Sequence, residues 1–264
     1  MPLPLFDHGL RARRRDRAVR HGVETFLFDR AFEECLERLA EIRRPFRSVL
    51  LAGCPNARWA RQIAGLGSQV TIIDPGPQMA SAARATVADL EFLPFDAESF
   101  DLCLSIGLLD SVNDMQLALA SVARILEPDG LFMGAVAGGQ SLPRLRAAML
   151  AADQTIGQAS PHVHPRIEAP ALANLLSSSG FSMPVVDVDR VDLSYGGLDD
   201  LVRDLRAMGS TNILSARPRR PLLRASLQAA RGSFLGGSEK AIEQLEILHF
   251  AAWKSASPSR QARH

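Results

Sequence analysis

Hydrophobic positions along this chain change period repeatedly, and each change marks an element. Residues 7–20 set Leu10, Ala12 and Ala18 among arginines, the spacing of a short exposed helix. Phe26–Ile42 carries Phe28, Phe32, Cys35, Leu36, Leu39 and Ile42 along one helical face, and Pro45 ends it. Short apolar runs then alternate with helical segments. Strands are predicted at Ser48–Ala52, Gln69–Asp74, Thr86–Glu91, Phe100–Ile106 and Leu131–Ala137. Helices are predicted between them at Ala57–Leu66, Pro77–Ala85 and Met115–Leu126. Gly65 and Gly67 stop the first, and Pro128 and Gly130 stop the last. Strands alternating with helices over such short intervals require right-handed crossovers and a parallel sheet.

After residue 137 the pattern loosens. Leu142–Asp153, Pro170–Ser178, Leu198–Met208 and Arg219–Ala230 read as helices, Val185–Leu193 and Gln244–Trp253 as strands, and Gly157–Pro170 as a loop rich in Pro and His. The expected fold is α/β, a doubly wound, mostly parallel seven-stranded sheet with an N-terminal helical lid. Residues 1–46 would form the lid and 47–255 the sheet domain, with an insert at about 138–170. The polar residues 256–264 are expected to be a disordered tail.

Composition agrees with a packed core: 47% of the 264 residues are hydrophobic and 22% charged. No apolar run approaches the roughly 20 residues that span a bilayer. The N-terminus places its apolar residues before its arginines, the reverse of a secretory signal, and Asp7 and Asp16 argue against a transit peptide. Cys35, Cys54 and Cys103 lie far apart and make no metal-ligand pair, as in a reduced cytoplasmic interior. The net charge of +1 is unevenly spread: +3 over residues 1–50, −9 over 51–200 and +7 over 201–264. Arg217–Arg231 holds five arginines and no acid. Such a stretch reads as a solvated helix face or as a surface for an acidic protein. No aromatic residues interleave the arginines, which argues against nucleic acid.

Asp74 ends the second strand, where a carboxylate can accept hydrogen bonds from both hydroxyls of a ribose. The plainer reading is a helix cap, because Pro75-Gly76-Pro77 follows. Asp89 follows a short apolar stretch and precedes Leu90. It can accept from an adenine amino group or serve as a turn residue. The loop after the first strand, Gly53-Cys54-Pro55-Asn56-Ala57, keeps one glycine where a nucleoside site needs several close together. Pro55 removes an N–H donor and Ala57 adds a methyl group. His162 and His164 form an H-x-H pair with no third ligand nearby, so a hydrogen-bonding or surface role is expected and no metal site is assigned. The chain holds no G-x-S-x-G or similar nucleophile arrangement, so no catalytic residue is assigned.

The segments EFLPF (Glu91–Phe95), SFDL (Ser99–Leu102), VND (Val112–Asp114) and LEPDG (Leu126–Gly130) resemble class I S-adenosylmethionine-dependent methyltransferases. Narrower segments are FDHGLRARRRDRA at the start, GAVAGGQSLPRLR at Gly134–Arg146, SPHVHP at Ser160–Pro165 and DLRAMGSTN at Asp204–Asn212. Together they are similar to the mitochondrial complex I assembly factor family and its bacterial relatives, over nearly the whole chain. That family's eukaryotic member is described as a protein-arginine hydroxylase acting on a complex I subunit. The malonyl-carrier methyltransferases of biotin synthesis are a more distant cousin.

The resemblance implies S-adenosylmethionine as cofactor. It makes Asp74 the ribose acid, Asp89 the adenine-side acid with Leu90 beside it, and Gly53 the first loop glycine, with Pro75 and Ile106 completing the cofactor-binding set. It also implies a protein partner, such as a subunit of the complex I peripheral arm, and a location in the cytoplasm or at the periphery of the inner membrane. The chain departs from the family pattern at several positions. The acid expected before the glycine falls on Leu51, the later glycines on Pro55 and Ala57, and a His-Trp pair on Asp110-Ser111. Either a surviving enzyme or a scaffold with a degenerate cofactor site fits this pattern.

Overall fold

In a computed structural model, which describes residues 4–255, the strands β1 (Ser48–Ala52), β2 (Gln69–Asp74) and β4 (Phe100–Ile106) occupy the predicted runs. With β3 (Thr86–Val87), β5 (Leu126–Ala137), β6 (Phe181–Tyr195) and β7 (Ala241–Lys254) they form one seven-stranded sheet in the order β3-β2-β1-β4-β5-β7-β6. The β3-β2, β2-β1, β1-β4 and β4-β5 pairs are all parallel. The order reverses between β1 and β4, which opens a crevice at the C-terminal ends of those strands.

β6 (from Phe181) and β7 (from Ala241) start earlier than the sequence reading has them, and three other boundaries differ for a local reason. β3 stops at Val87, because the chain then turns: the amide of Ala88 donates to the carbonyl of Asp74 and that of Phe92 to Asp89. Asp89 and Leu90 therefore sit on a turn rather than on a strand. β5 begins at Leu126, five residues early. Pro128 and Gly130 mark a bulge instead of a stop: pairing with β4 slips between Phe100 and Leu102, and Asp129 takes a φ of 59°. The last helix begins at Arg224 rather than Arg219, because Pro221 bars the residue before it from helical angles. The tail predicted at 256–264 lies outside the described residues.

The described residues divide into two compact units. One comprises 25–136, 167–188 and 248–255. It holds helices α2 (Phe26–Glu41), α3 (Arg58–Gly65), α4 (Pro77–Ala83), α5 (Met115–Ile125) and α7 (Ala169–Ser178). Its central strands β1, β4 and β5 are buried on both faces. Leu50, Ala52, Cys103 and Phe132 join Leu119, Val122, Leu172 and Leu176 in one apolar core. Val49, Leu51, Leu102 and Leu104 alternate to the opposite face and are as fully buried. Phe32 of α2 stacks on Trp59 of α3, with ring centroids 4.6 Å apart. Asp101 ties β4 to β1, its carboxylate accepting from the amides of Arg47 (2.6 Å) and Ser48 (3.0 Å).

The other unit comprises 4–24, 137–166 and 189–247, with helices α1 (His8–His21), α6 (Pro143–Gln154), α8 (Leu198–Ala207) and α9 (Arg224–Leu235). Ala148 and Ala152 of α6 share a core with Ala230 and Phe234 of α9, and small side chains let helices approach. The buried carboxylate of Glu243 accepts from the amides of Arg144 (3.1 Å) and Leu145 (2.8 Å), capping α6. Among the described residues no helix is long and apolar enough to cross a membrane.

A Cβ added at Gly134 would lie 1.9 Å from the carbonyl oxygen of Ser105 in the neighbouring strand. Gly134→Ala is therefore expected to push β5 from β4 and destabilise the protein by about 3 kcal/mol. Urea unfolding checks this, and an unchanged midpoint contradicts the β4-β5 register.

Candidate functional site

The crevice is built where β1, β2 and β4 end. Asp74, the last residue of β2, is fully buried, and its Oδ1 accepts from the amide of Gly76 at 2.9 Å. That bond turns the chain into α4, with Pro77 in its first turn. The cap residue of α4 is Gly76, without a side-chain cap bond, so Asp74 shapes the turn that precedes the helix rather than capping it. Pro75 beside it is half-buried. Val87 pairs with Asp74, and Asp89 follows two residues on, half-buried, beside the fully buried Leu90.

Helix α5 fixes this turn from the other side. The Oε1 of buried Glu91 accepts from the amide of Asp114 at 2.8 Å, and Asp114 itself caps α5 through the amide of Leu117. Ser121 accepts from the amide of Leu93, while Arg124 donates to the carbonyls of Leu93 and Phe95. The sequence reading passed over Glu91 as a positioning residue. The signal was present: an acid directly after Leu90, matched by a cap residue immediately before Met115.

Gly53 directly follows β1 with φ of 82°, its amide donating to the carbonyl of Ile73. A Cβ there would lie 2.5 Å from the carbonyl oxygen of Ile106 and 3.0 Å from Leu108. Glycine is required at this point by the approach of two strand ends, with or without a ligand. Ile106, the last residue of β4, is buried. Gly107 follows with φ of 70°, and the ring of Phe28 packs where its side chain would be, 2.6 Å from a Cβ built there.

The altered loop is held by a network that the hydrophobic pattern did not disclose. Asp29, in the first turn of α2, accepts through Oδ1 from Asn56 Nδ2 (2.8 Å) and Trp59 Nε1 (2.6 Å), and through Oδ2 from the hydroxyl of Thr25 (2.6 Å). Asn56 in turn accepts from the amide of Arg58, capping α3. Ala57 is exposed, so its methyl group fills no space at the sheet. The loop is thus rebuilt around Asn56 and Asp29 rather than collapsed. Asp110 and Ser111 lie in a 3-10 turn, with the Ser111 hydroxyl donating to the carbonyl of Leu108. Burial raises the thiols of Cys103, on β4, and Cys35, the latter to about 12, so neither is a thiolate at neutral pH.

A methyltransferase-domain family model matches residues 50–134, which contain every one of these strand ends. The chain is 31% identical to the arginine hydroxylase NDUFAF5 of Rattus norvegicus mitochondria, over 96% of this chain and 78% of that protein. It is also 31% identical to a malonyl-[acyl-carrier protein] O-methyltransferase of a Methylovorus species, over 84% of this chain and 80% of that one. The chain belongs to this methyltransferase-domain family. A solved SAM-dependent methyltransferase of Thermotoga maritima has the same fold, with a TM-score of 0.51 at 17% identity, covering 91% of this chain and 98% of that one. In open α/β sheets ligands lie outside the carboxyl ends of the strands at such a reversal, and Asp74, Asp89 and Leu90 stand at or just beyond these ends.

Asp29→Ala removes the acceptor of a buried indole N–H and of the loop amide. An unsatisfied buried donor costs on the order of 2 kcal/mol, so unfolding followed by Trp fluorescence should shift by about that amount. A variant as stable as the parent would show that α2 does not hold the loop.

Proposed function

We propose that this chain binds S-adenosylmethionine at the ends of β1, β2 and β4 and acts on a protein, modifying or assembling a subunit of respiratory complex I by methyl transfer or arginine hydroxylation. The carrying observation is the fully buried carboxylate of Asp74 at the end of β2, beside the strand-order reversal. Asp74 would accept from the ribose hydroxyls and Asp89 from the adenine amino group, with Leu90 against the ring. Gly53 lets the backbone come close, and Pro75 and Ile106 line the same strand ends. When bound, the cofactor supplies an electrophilic methyl group on a sulfonium. The chain's own residues orient it and exclude water.

Relatives named as mitochondrial arginine hydroxylases support a protein substrate. The reading places the chain in the cytoplasm, or at the periphery of the inner membrane. A second reading, a scaffold without cofactor, is favoured by one observation: Pro55 supplies no N–H donor in the loop.

Titration calorimetry with S-adenosylmethionine and S-adenosylhomocysteine separates the two. Binding in the micromolar range is expected. Asp74→Asn keeps an oxygen for the Gly76 amide but loses the charge, and should weaken binding about 10- to 100-fold. No heat at millimolar ligand would favour the scaffold, and full binding by Asp74→Asn would refute the ribose placement. If binding holds, methyl transfer to malonyl-carrier protein but not to complex I subunits would reassign the substrate.

A further inference from the structure

The segments that set this chain apart from the shared fold converge within the unit of residues 4–24, 137–166 and 189–247. Asp7 caps α1 through the amide of Leu10, and its own amide donates to the carbonyl of Ile213. The amide of Ile213 donates to His164 Nε2, and Asn212 donates to the carbonyl of Pro161. His162 Nε2 meets the buried carboxylate of Asp153 at 2.9 Å. The chain segments around residues 7, 162 and 213 therefore make one framework.

That framework assembles positive charge. A Cβ at Gly209 would lie 3.1 Å from the Cα of Arg15 and 3.3 Å from the carbonyl oxygen of Arg14, so α1 lies directly on the turn that ends α8. On α1, Arg17 is four residues from Arg13 and three from Arg14, the spacing of neighbouring positions on a helix surface. Arg206 lies in the last turn of α8, and Arg217 closes a separate turn, its amide donating to the carbonyl of Leu214. Arg217 reaches Asp7 at 3.5 Å. Arg13, Arg14, Arg17 and Arg206 take part in no ion pair among the described residues, and the Nε of Arg14 is buried without a hydrogen-bond partner. Burial, then the charges of Arg17, Arg217, Arg206 and Arg13, hold the Arg14 guanidinium below its ordinary pKa. It stays protonated all the same, so the fold holds several like charges together, with Asp7 beside Arg13 and Arg217 and Asp16 on α1 as the acids among them. A protein keeps such an arrangement at a cost that an incoming anion removes.

We propose that Arg13, Arg14, Arg17, Arg206 and Arg217 form a docking surface for a carboxylate-rich segment of a partner protein. Guanidinium forks match carboxylates two bonds at a time. The exposed large apolar side chains of this unit, such as Leu5 at 48% and Leu223 at 65%, are aliphatic, so bases have no stacking platform there. The Leu5 carbonyl accepts from the amide of Ser215, two residues before Arg217, which puts an apolar contact beside the charges. This surface stands independently of the cofactor reading.

The test is fluorescence anisotropy of a labelled oligoglutamate peptide with the full chain, beside labelled oligouridylate and phosphatidylglycerol vesicles. Saturable peptide binding that weakens with salt is expected. Arg14→Glu/Arg17→Glu should weaken it at least about tenfold. Arg13→Glu/Arg206→Glu, at two exposed positions, should do the same while retaining the parent's circular dichroism and melting temperature. Arg231→Glu, which breaks a pair with Asp199 elsewhere in the unit, should leave binding unchanged. Absent peptide binding, equal loss in Arg231→Glu, or tighter binding of oligouridylate or vesicles that the cluster variants abolish would each overturn the proposal.

Discussion

The end of β1 can meet the end of β4 only because residue 53 has no side chain. A Cβ there would stand 2.5 Å from the Ile106 carbonyl oxygen, and the same exclusion recurs one strand over, where Gly134 faces Ser105. Parallel strands ending this close bring their C-terminal turns to one edge, and the reversal of strand order opens that edge between β1 and β4. Everything proposed for the crevice depends on that geometry. The buried Asp74 and the turn bearing Asp89 are carried there by β2 and β3, and α5 holds the turn through Glu91, Ser121 and Arg124.

The rebuilt loop shows how a glycine-poor sequence can keep the same path. Where several glycines would let the backbone fold by its own freedom, this chain anchors Asn56 and Trp59 to a carboxylate on α2. The backbone loses a donor at Pro55, and its conformation is set by side chains instead. A binding loop made rigid in this way pays its ordering entropy on folding rather than on meeting a ligand.

Much of this was legible in the sequence. The run lengths of β1, β2 and β4 and the acid that ends β2 follow from period and turn chemistry, whereas the caps at Asp7 and Asp114 emerge only in the structure. What escaped has a common physical cause. Pro128 and Gly130 carry the same local preference whether they stop a helix or shape a bulge, and only pairing with Phe100 and Leu102 decides. The role of Asp29 depends on Asn56 and Trp59, 27 and 30 residues away. Arg14 and Arg206 come within electrostatic reach of each other through the packing of α1 on the turn after α8, which no one-dimensional charge count records.

The central claim is that the strand-end crevice is a nucleoside site built on Asp74 and Asp89. A crystal structure of the protein grown with S-adenosylhomocysteine tests it most directly. The account predicts ribose hydroxyls within hydrogen-bonding distance of the Asp74 carboxylate and the adenine ring against Leu90, with the Asp29–Asn56 bond intact beside it. A ligand bound elsewhere on the chain, or a ribose held by other residues with Asp74 engaged only by Gly76, would contradict it.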